Sequence, residues 1–159
     1  MDKGYTVLVG DCYGIDTSVQ EFLKLHNYNN VYVYACNGKA RNNIGNWPVN
    51  SVAVPEFATG FDFYVQKDIA MAKDADYGLM VWDGKSKGTL NNMINLLIQE
   101  KPVLLYFVGQ HKMIVLKTIE DLKSFISSLE EITKKSFNSL LFEKKVSEGT
   151  FLNLTEKTN

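Results

Sequence analysis

Apolar and polar positions follow two periods along this chain, and the switches between them mark out its elements. Residues 5–9 (YTVLV) form a short apolar run ended by Gly10, the pattern of a buried parallel strand. Val19, Phe22, Leu23 and His26 recur at helical spacing and predict a helix from about Thr17 to His26. VYVYA (31–35) and SVAV (51–54), the latter stopped by Pro55, predict a second and a third strand. A helix over 62–74 would turn Val65, Ile69 and Ala72 inward, and YGLMVW (77–82) reads as a fourth strand. Leu90, Met93, Ile94, Leu97 and Ile98 then define an amphipathic helix that starts near Thr89 and ends at Lys101-Pro102. VLLYF (103–107) predicts a fifth strand, MIVL (113–116) a short edge strand, and a last helix covers about Ile119 to Ile132.

Regular alternation of strand and helix predicts an α/β fold: a Rossmann-like open parallel sheet of about five strands with helices on both faces. Residues 1–132 are expected to form its single domain. Residues 133–159 are polar and mixed, and are expected to be a loosely attached tail with one helical turn around Leu140–Lys144. In such sheets ligands bind beyond the carboxyl ends of the strands, which singles out the loops after strands one, two and four.

Composition narrows the function classes. Apolar residues make up 45% and charged residues 22% of the 159, ordinary for a globular domain. A formal net charge of −1 argues against a surface that coats nucleic acid, because counterion release needs a clustered basic face. No window approaches the ~20 apolar residues of a membrane span. The opening MDKGYTVLVG enters a strand almost at once, unlike a signal peptide. Cys12 and Cys36 have neither metal spacing nor a disulfide framework, as expected for reduced thiols in a cytoplasmic protein. Neither a metal nor a cofactor is expected.

Three loops carry candidate chemistry. In GDCYGID, the glycines Gly10 and Gly14 allow close backbone approach, and Asp11 and Asp16 offer acceptors for ribose hydroxyls. The plainer reading makes Asp16 or Thr17 a helix cap and the glycines a turn. In the loop after strand four, Asp83, Gly84, Lys85, Ser86, Lys87, Gly88 and Thr89 directly precede a helix. The lysines and the helix macrodipole there favour an anion, although Thr89 could be a simple N-cap. The long loop CNGKARNNIGNWPVN exceeds a tight turn and is either functional or disordered. Its Arg41 could clamp a phosphate and its Trp47 could stack on a base, or both could be packing residues.

Taken together, the GDCYGID loop after strand one and SKGTLNN after strand four resemble the SLOG superfamily of Rossmann-like domains. That group includes lysine-decarboxylase-like cytokinin-activating enzymes, DprA-type domains and YspA-like proteins. The likeness covers about residues 5–107. It implies a pocket for nucleotides or nucleotide-derived signals such as ADP-ribose or cyclic ADP-ribose, and the family's habit of forming homo-oligomers. In the family's glycosidase-like enzymes the second motif ends in Glu, which acts at the N-glycosidic bond. The matching position here is Asn92, and an amide cannot serve as general acid, base or carboxylate nucleophile.

The first expectation is therefore a domain that binds such a ligand without turnover, as a sensor or a sequestering protein, as in antiphage signalling. At least one of Asn91 and Asn92 should then face the pocket mouth. The alternative is an N-glycosidase or nucleoside deoxyribosyltransferase-like enzyme using Asp11 and Asp83 as its catalytic pair. A third reading, from another class, is a protein-interaction module with a vestigial pocket.

Overall fold

The computed structural model describes residues 4–155, and its strands hydrogen-bond as two three-stranded ladders. The chain divides into two compact units, Met1–Asp76 and Tyr77–Asn159. The class is α/β. Among the described residues, no helix is long and apolar enough to cross a membrane. Residues 1–3 of the predicted N-terminal segment and 156–159 of the predicted tail lie outside the described residues.

In the first unit, β1 (Val7–Val9), β2 (Val31–Cys36) and β3 (Val49–Val52) pair in parallel, in the order β1-β2-β3. Strand β2 is the buried centre, which suits its run of β-branched and aromatic residues. Helix α1 (Ile15–Leu25) follows β1, and α2 (Gly60–Asp74) follows β3. Strand β3 lies two residues earlier than SVAV suggests. The backbone N–H of Val54 donates to the Asn37 side chain at 3.0 Å and so is lost to the ladder. Helix α2 turns Ala72 inward as expected, but Ile69 is 43% exposed and Lys67 is buried in its place.

In the second unit, β4 (Gly78–Trp82) pairs in parallel with β5 (Val103–Phe107), and β6 (Lys112–Leu116) adds an antiparallel edge. All strand pairing between residues 5 and 107 is parallel, and β5 has the bounds that the apolar run after Pro102 predicts. Helix α3 (Lys87–Leu97) joins β4 to β5 and is buried on most sides: Leu90, Asn91, Met93, Ile94, Asn95, Leu96 and Leu97 all lose their solvent.

The predicted last helix is two helices. Helix α4 (Ile119–Ile126) opens on a capping box, in which Thr118 and Asp121 satisfy each other's backbone N–H. It ends where the hydroxyls of Ser127 and Ser128 donate back to the carbonyls of Ser124 and Phe125. Helix α5 (Glu131–Thr155) then occupies most of the segment expected to be a tail. The correction has a simple cause: Thr133, Phe137 and Leu140 fall at i, i+4 and i+7, and all three are buried.

Candidate functional site

In the first unit the loop after β1 is built around a buried carboxylate. Asp11 is 2% exposed, and both its oxygens are taken. Arg41 donates from Nη2 to Oδ1 at 2.8 Å and from Nε to Oδ2 at 3.2 Å, and its backbone N–H donates to Oδ2 at 3.0 Å. Lys67 Nζ lies 3.8 Å from Oδ1. Burial pushes the Asp11 pKa up, but the hydrogen bonds and charge of Arg41, with help from Lys67, outweigh it and hold the carboxyl below its usual value. Lys67 is itself 2% exposed and pairs with Asp68 at 2.7 Å. Burial opposes its charge. The surrounding carboxylates win, and its pKa is raised.

The two glycines of this loop have separate structural reasons. A Cβ on Gly10 would lie 2.3 Å from Asp16 Oδ2 and 3.1 Å from Lys67 Nζ. Gly14 has φ +92° and is the N-cap of α1, a conformation that favours glycine. Neither Asp16 nor Thr17 caps the helix. Asp16 Oδ2 accepts from the Cys12 backbone N–H at 3.0 Å, and the Thr17 hydroxyl donates to the Gly14 carbonyl at 2.8 Å. Burial is the main cause that raises the Asp16 pKa.

The long loop is ordered, and side chains stitch it to the loop after β1. Gln20, fully buried, donates to the Gly10 carbonyl at 2.8 Å and the Asn42 carbonyl at 3.3 Å, and accepts from Ile44 N–H at 2.9 Å. Asn42 donates to the Asp11 carbonyl at 2.8 Å. Trp47 is a core residue: it packs with Val9, Leu23, Val31 and Val33, and its indole N–H donates to the Tyr28 carbonyl at 3.1 Å. Its ring is enclosed and presents no face for a base.

Arg41 sits at the rim. Its guanidinium lies 4.3 Å from the Tyr64 ring centroid, and Nη2 also donates to Cys12 Sγ at 2.8 Å. The hydrogen bond to Asp11 raises its pKa, and Nη1 has no hydrogen-bond partner among the described residues. Beside it is a pocket of about 230 Å³ lined by Asp11, Asn37, Lys39, Arg41, Phe63 and Tyr64. Burial raises the pKa of both Cys12 and Cys36, so neither thiol is primed as a thiolate.

In the second unit the loop after β4 organises itself. Asp83 accepts from the backbone N–H groups of Lys85 at 2.8 Å and Ser86 at 3.0 Å, which hold its pKa below the usual value. Ser86, not Thr89, is the N-cap of α3: its Oγ accepts from Thr89 N–H at 3.3 Å and from the Thr89 hydroxyl at 3.0 Å. The Ser86 carbonyl accepts from the Trp82 indole at 3.0 Å, and the Gly84 carbonyl from Thr133 at 2.8 Å. Gly84 needs its φ of +86°. Gly88 has no such need, since a Cβ there would meet nothing nearer than Ser86 Oγ at 4.0 Å. Lys85 and Lys87 are exposed.

Asn91 is 2% exposed, with a side-chain nitrogen that has no hydrogen-bond partner. Asn92 is half-buried, and its Oδ1 is also unpartnered. Asn91 thus belongs to the interior of the unit, and Asn92 is half-buried with its Oδ1 enclosed.

Hydrophobic patterning missed Lys67, Gln20 and Tyr64. A signal for the first was available: Phe63, Lys67, Ala70 and Met71 share one helical face, an odd place for an unpaired lysine. Compared with known proteins, the chain matches no family model, no curated protein and no solved structure.

Proposed function

We propose that this chain is a SLOG-like, Rossmann-like domain that binds a nucleotide-derived anion without turning it over. The ligand class is ADP-ribose or a cyclic ADP-ribose-like signal, and the role is that of a sensor or a sequestering protein. What carries the reading is the engagement of both oxygens of Asp11, which leaves exposed Asp83 without a carboxylate partner for an acid–base pair. A nucleophile or acid–base catalyst at a ribose needs a lone pair free to reach the glycosidic bond. Asp11 gives its two oxygens to Arg41, and Asp83 gives one to two backbone N–H groups of its own turn. The position that matches the enzymes' Glu is Asn92.

Each unit also offers features suited to holding an anion. In the first, a guanidinium fixed on one edge and a lysine stand beside the rings of Phe63 and Tyr64, which suits a phosphate joined to a flat base. In the second, Lys85 and Lys87 flank the start of α3, where helix-end N–H groups and the macrodipole favour negative charge.

The test is to incubate the purified chain with nucleoside monophosphates, NAD and cyclic ADP-ribose isomers, then to chromatograph what is released. At least one should bind and return unchanged. Free base or ribose phosphate formed at enzymatic rates, and lost in a folded Asp83→Asn or Asp11→Asn variant, would replace this reading with the glycosidase. Exchanging both Lys85 and Lys87 for Ala should weaken a phosphorylated ligand by about 1–3 kcal/mol in calorimetry, and added salt should shrink the difference. An unchanged affinity would make the two lysines a solvated surface.

A further inference from the structure

Arg41 is the one arginine of the chain, and its N–H donors are divided unevenly. Nε and Nη2 form the fork that grips Asp11, at 3.2 and 2.8 Å. A guanidinium is planar, so this grip fixes a second fork as well, made of Nη1 and the other N–H of Nη2. That second fork meets only Cys12 Sγ, 2.8 Å from Nη2, since Nη1 has no partner among the described residues. A neutral thiol is a weak acceptor. The Tyr64 ring holds the flat of the guanidinium at 4.3 Å, and Lys67, 3.8 Å from Asp11, shares the carboxylate's charge. The Arg41 side chain is 34% exposed, so the second fork is open to a solute from the pocket that Lys39 also lines.

We infer that this second fork is the phosphate-reading edge of the chain: two oxygens of a nucleotide phosphate take Nη1 and Nη2 together and displace the Cys12 thiol. The inference rests on the nucleotide reading above and narrows it to one contact in the first unit. Paired oxygens at the end of a planar fork are what an arginine recognises best. Lys39 adds a second positive charge, which suits a phosphate better than a singly charged carboxylate. Cys12 then acts as a place-holder, an acceptor good enough to keep the fork aligned and poor enough to yield it.

The experiment is nitrogen NMR of the guanidinium in the full chain, which needs no assignment because Arg41 is the sole arginine. The probes are adenosine monophosphate, ADP-ribose and a cyclic ADP-ribose isomer. Each of them that binds should shift the Nη signals and leave Nε, held on Asp11, nearly in place. Adenosine, which lacks the phosphate, should shift none. In calorimetry Cys12→Asp should weaken the same probe about tenfold or more, because a carboxylate would close the fork. Cys12→Asn, a milder acceptor, should weaken it less, and Cys12→Ala should bind it at least as tightly as the wild type. A probe that binds without moving the Nη signals, or equally well to Cys12→Asp and Cys12→Ala, overturns the inference and leaves the nucleotide reading to the second unit. A chain that binds none of the three probes overturns both.

Discussion

The two loops that follow β1 and β4 use an aspartate in opposite ways. Asp11 is buried and serves distant groups: it aligns Arg41 from the long loop and offsets Lys67 from α2. Asp83 is exposed and serves only its own turn, accepting from residues two and three places on. One aspartate ties the unit together and the other shapes a rim. Removing them should therefore cost very different amounts, even though the sequence offers both as equivalent acids after a strand.

The largest expected effect tests that contrast directly. Asp11→Ala leaves Lys67 buried without one of its counter-charges and should cost about 3–5 kcal/mol in urea unfolding. Asp83→Ala should cost about 1 kcal/mol, the scale of a lost cap. Equal losses would erase the distinction.

Two glycines sharpen it further. In Gly10→Ala the new methyl would press on Asp16 Oδ2, and a loss of about 1–3 kcal/mol is expected. Gly88→Ala meets open space inside a helix and should stabilise the free protein by about 0.5–1 kcal/mol. If a ligand backbone or phosphate approaches Gly88 closely, the same substitution should weaken binding. A variant that is both less stable and unchanged in affinity would remove Gly88 from the site.

The smallest effect is in titration. Carbon NMR of the aspartate carboxyls should place the Asp16 midpoint above the ordinary 3.8, because burial penalises its charge. Asp11 and Asp83 should fall below 3.8. The signs for stability follow from linkage. Asp11 and Asp83 contribute stability that is present above 3.8 and is lost as pH falls through their lowered values. Asp16 contributes most in acid, and that share disappears as pH rises through its raised value. A single shared midpoint would contradict the separate environments described for the two loops.

Much of the fold was legible because apolar runs between breakers translate directly into elements. Strand β5 between Pro102 and the 3₁₀ turn at Val108–Gln110 is the clearest case. Legibility failed where polar atoms satisfy one another out of sight. Lys67 and Gln20 are among the most buried side chains of the first unit, yet a hydropathy pattern assigns both to solvent. It failed too where a sparse apolar stripe hid in a polar stretch, as with Phe137 and Leu140 in α5. For the site, the positions of the loops after β1 and β4 between a strand and a helix were legible, and Arg41 lines a pocket beside Phe63 and Tyr64 that the sequence offered no means to foresee. Trp47 could not be assigned beforehand, because a tryptophan in a loop looks the same whether it waits for a ligand or closes a core.

The two tryptophans of the chain fall one to each compact unit: Trp47 in the first, and Trp82 in the second with its indole on the Ser86 carbonyl. The chain thus carries two built-in optical reporters. With Trp47→Phe, the remaining emission belongs to the turn that opens α3 and should change colour or intensity when an anion settles there. With Trp82→Phe, it comes from the first unit alone. Two single-tryptophan proteins can therefore time, in one stopped-flow instrument, whether the units melt together or in sequence.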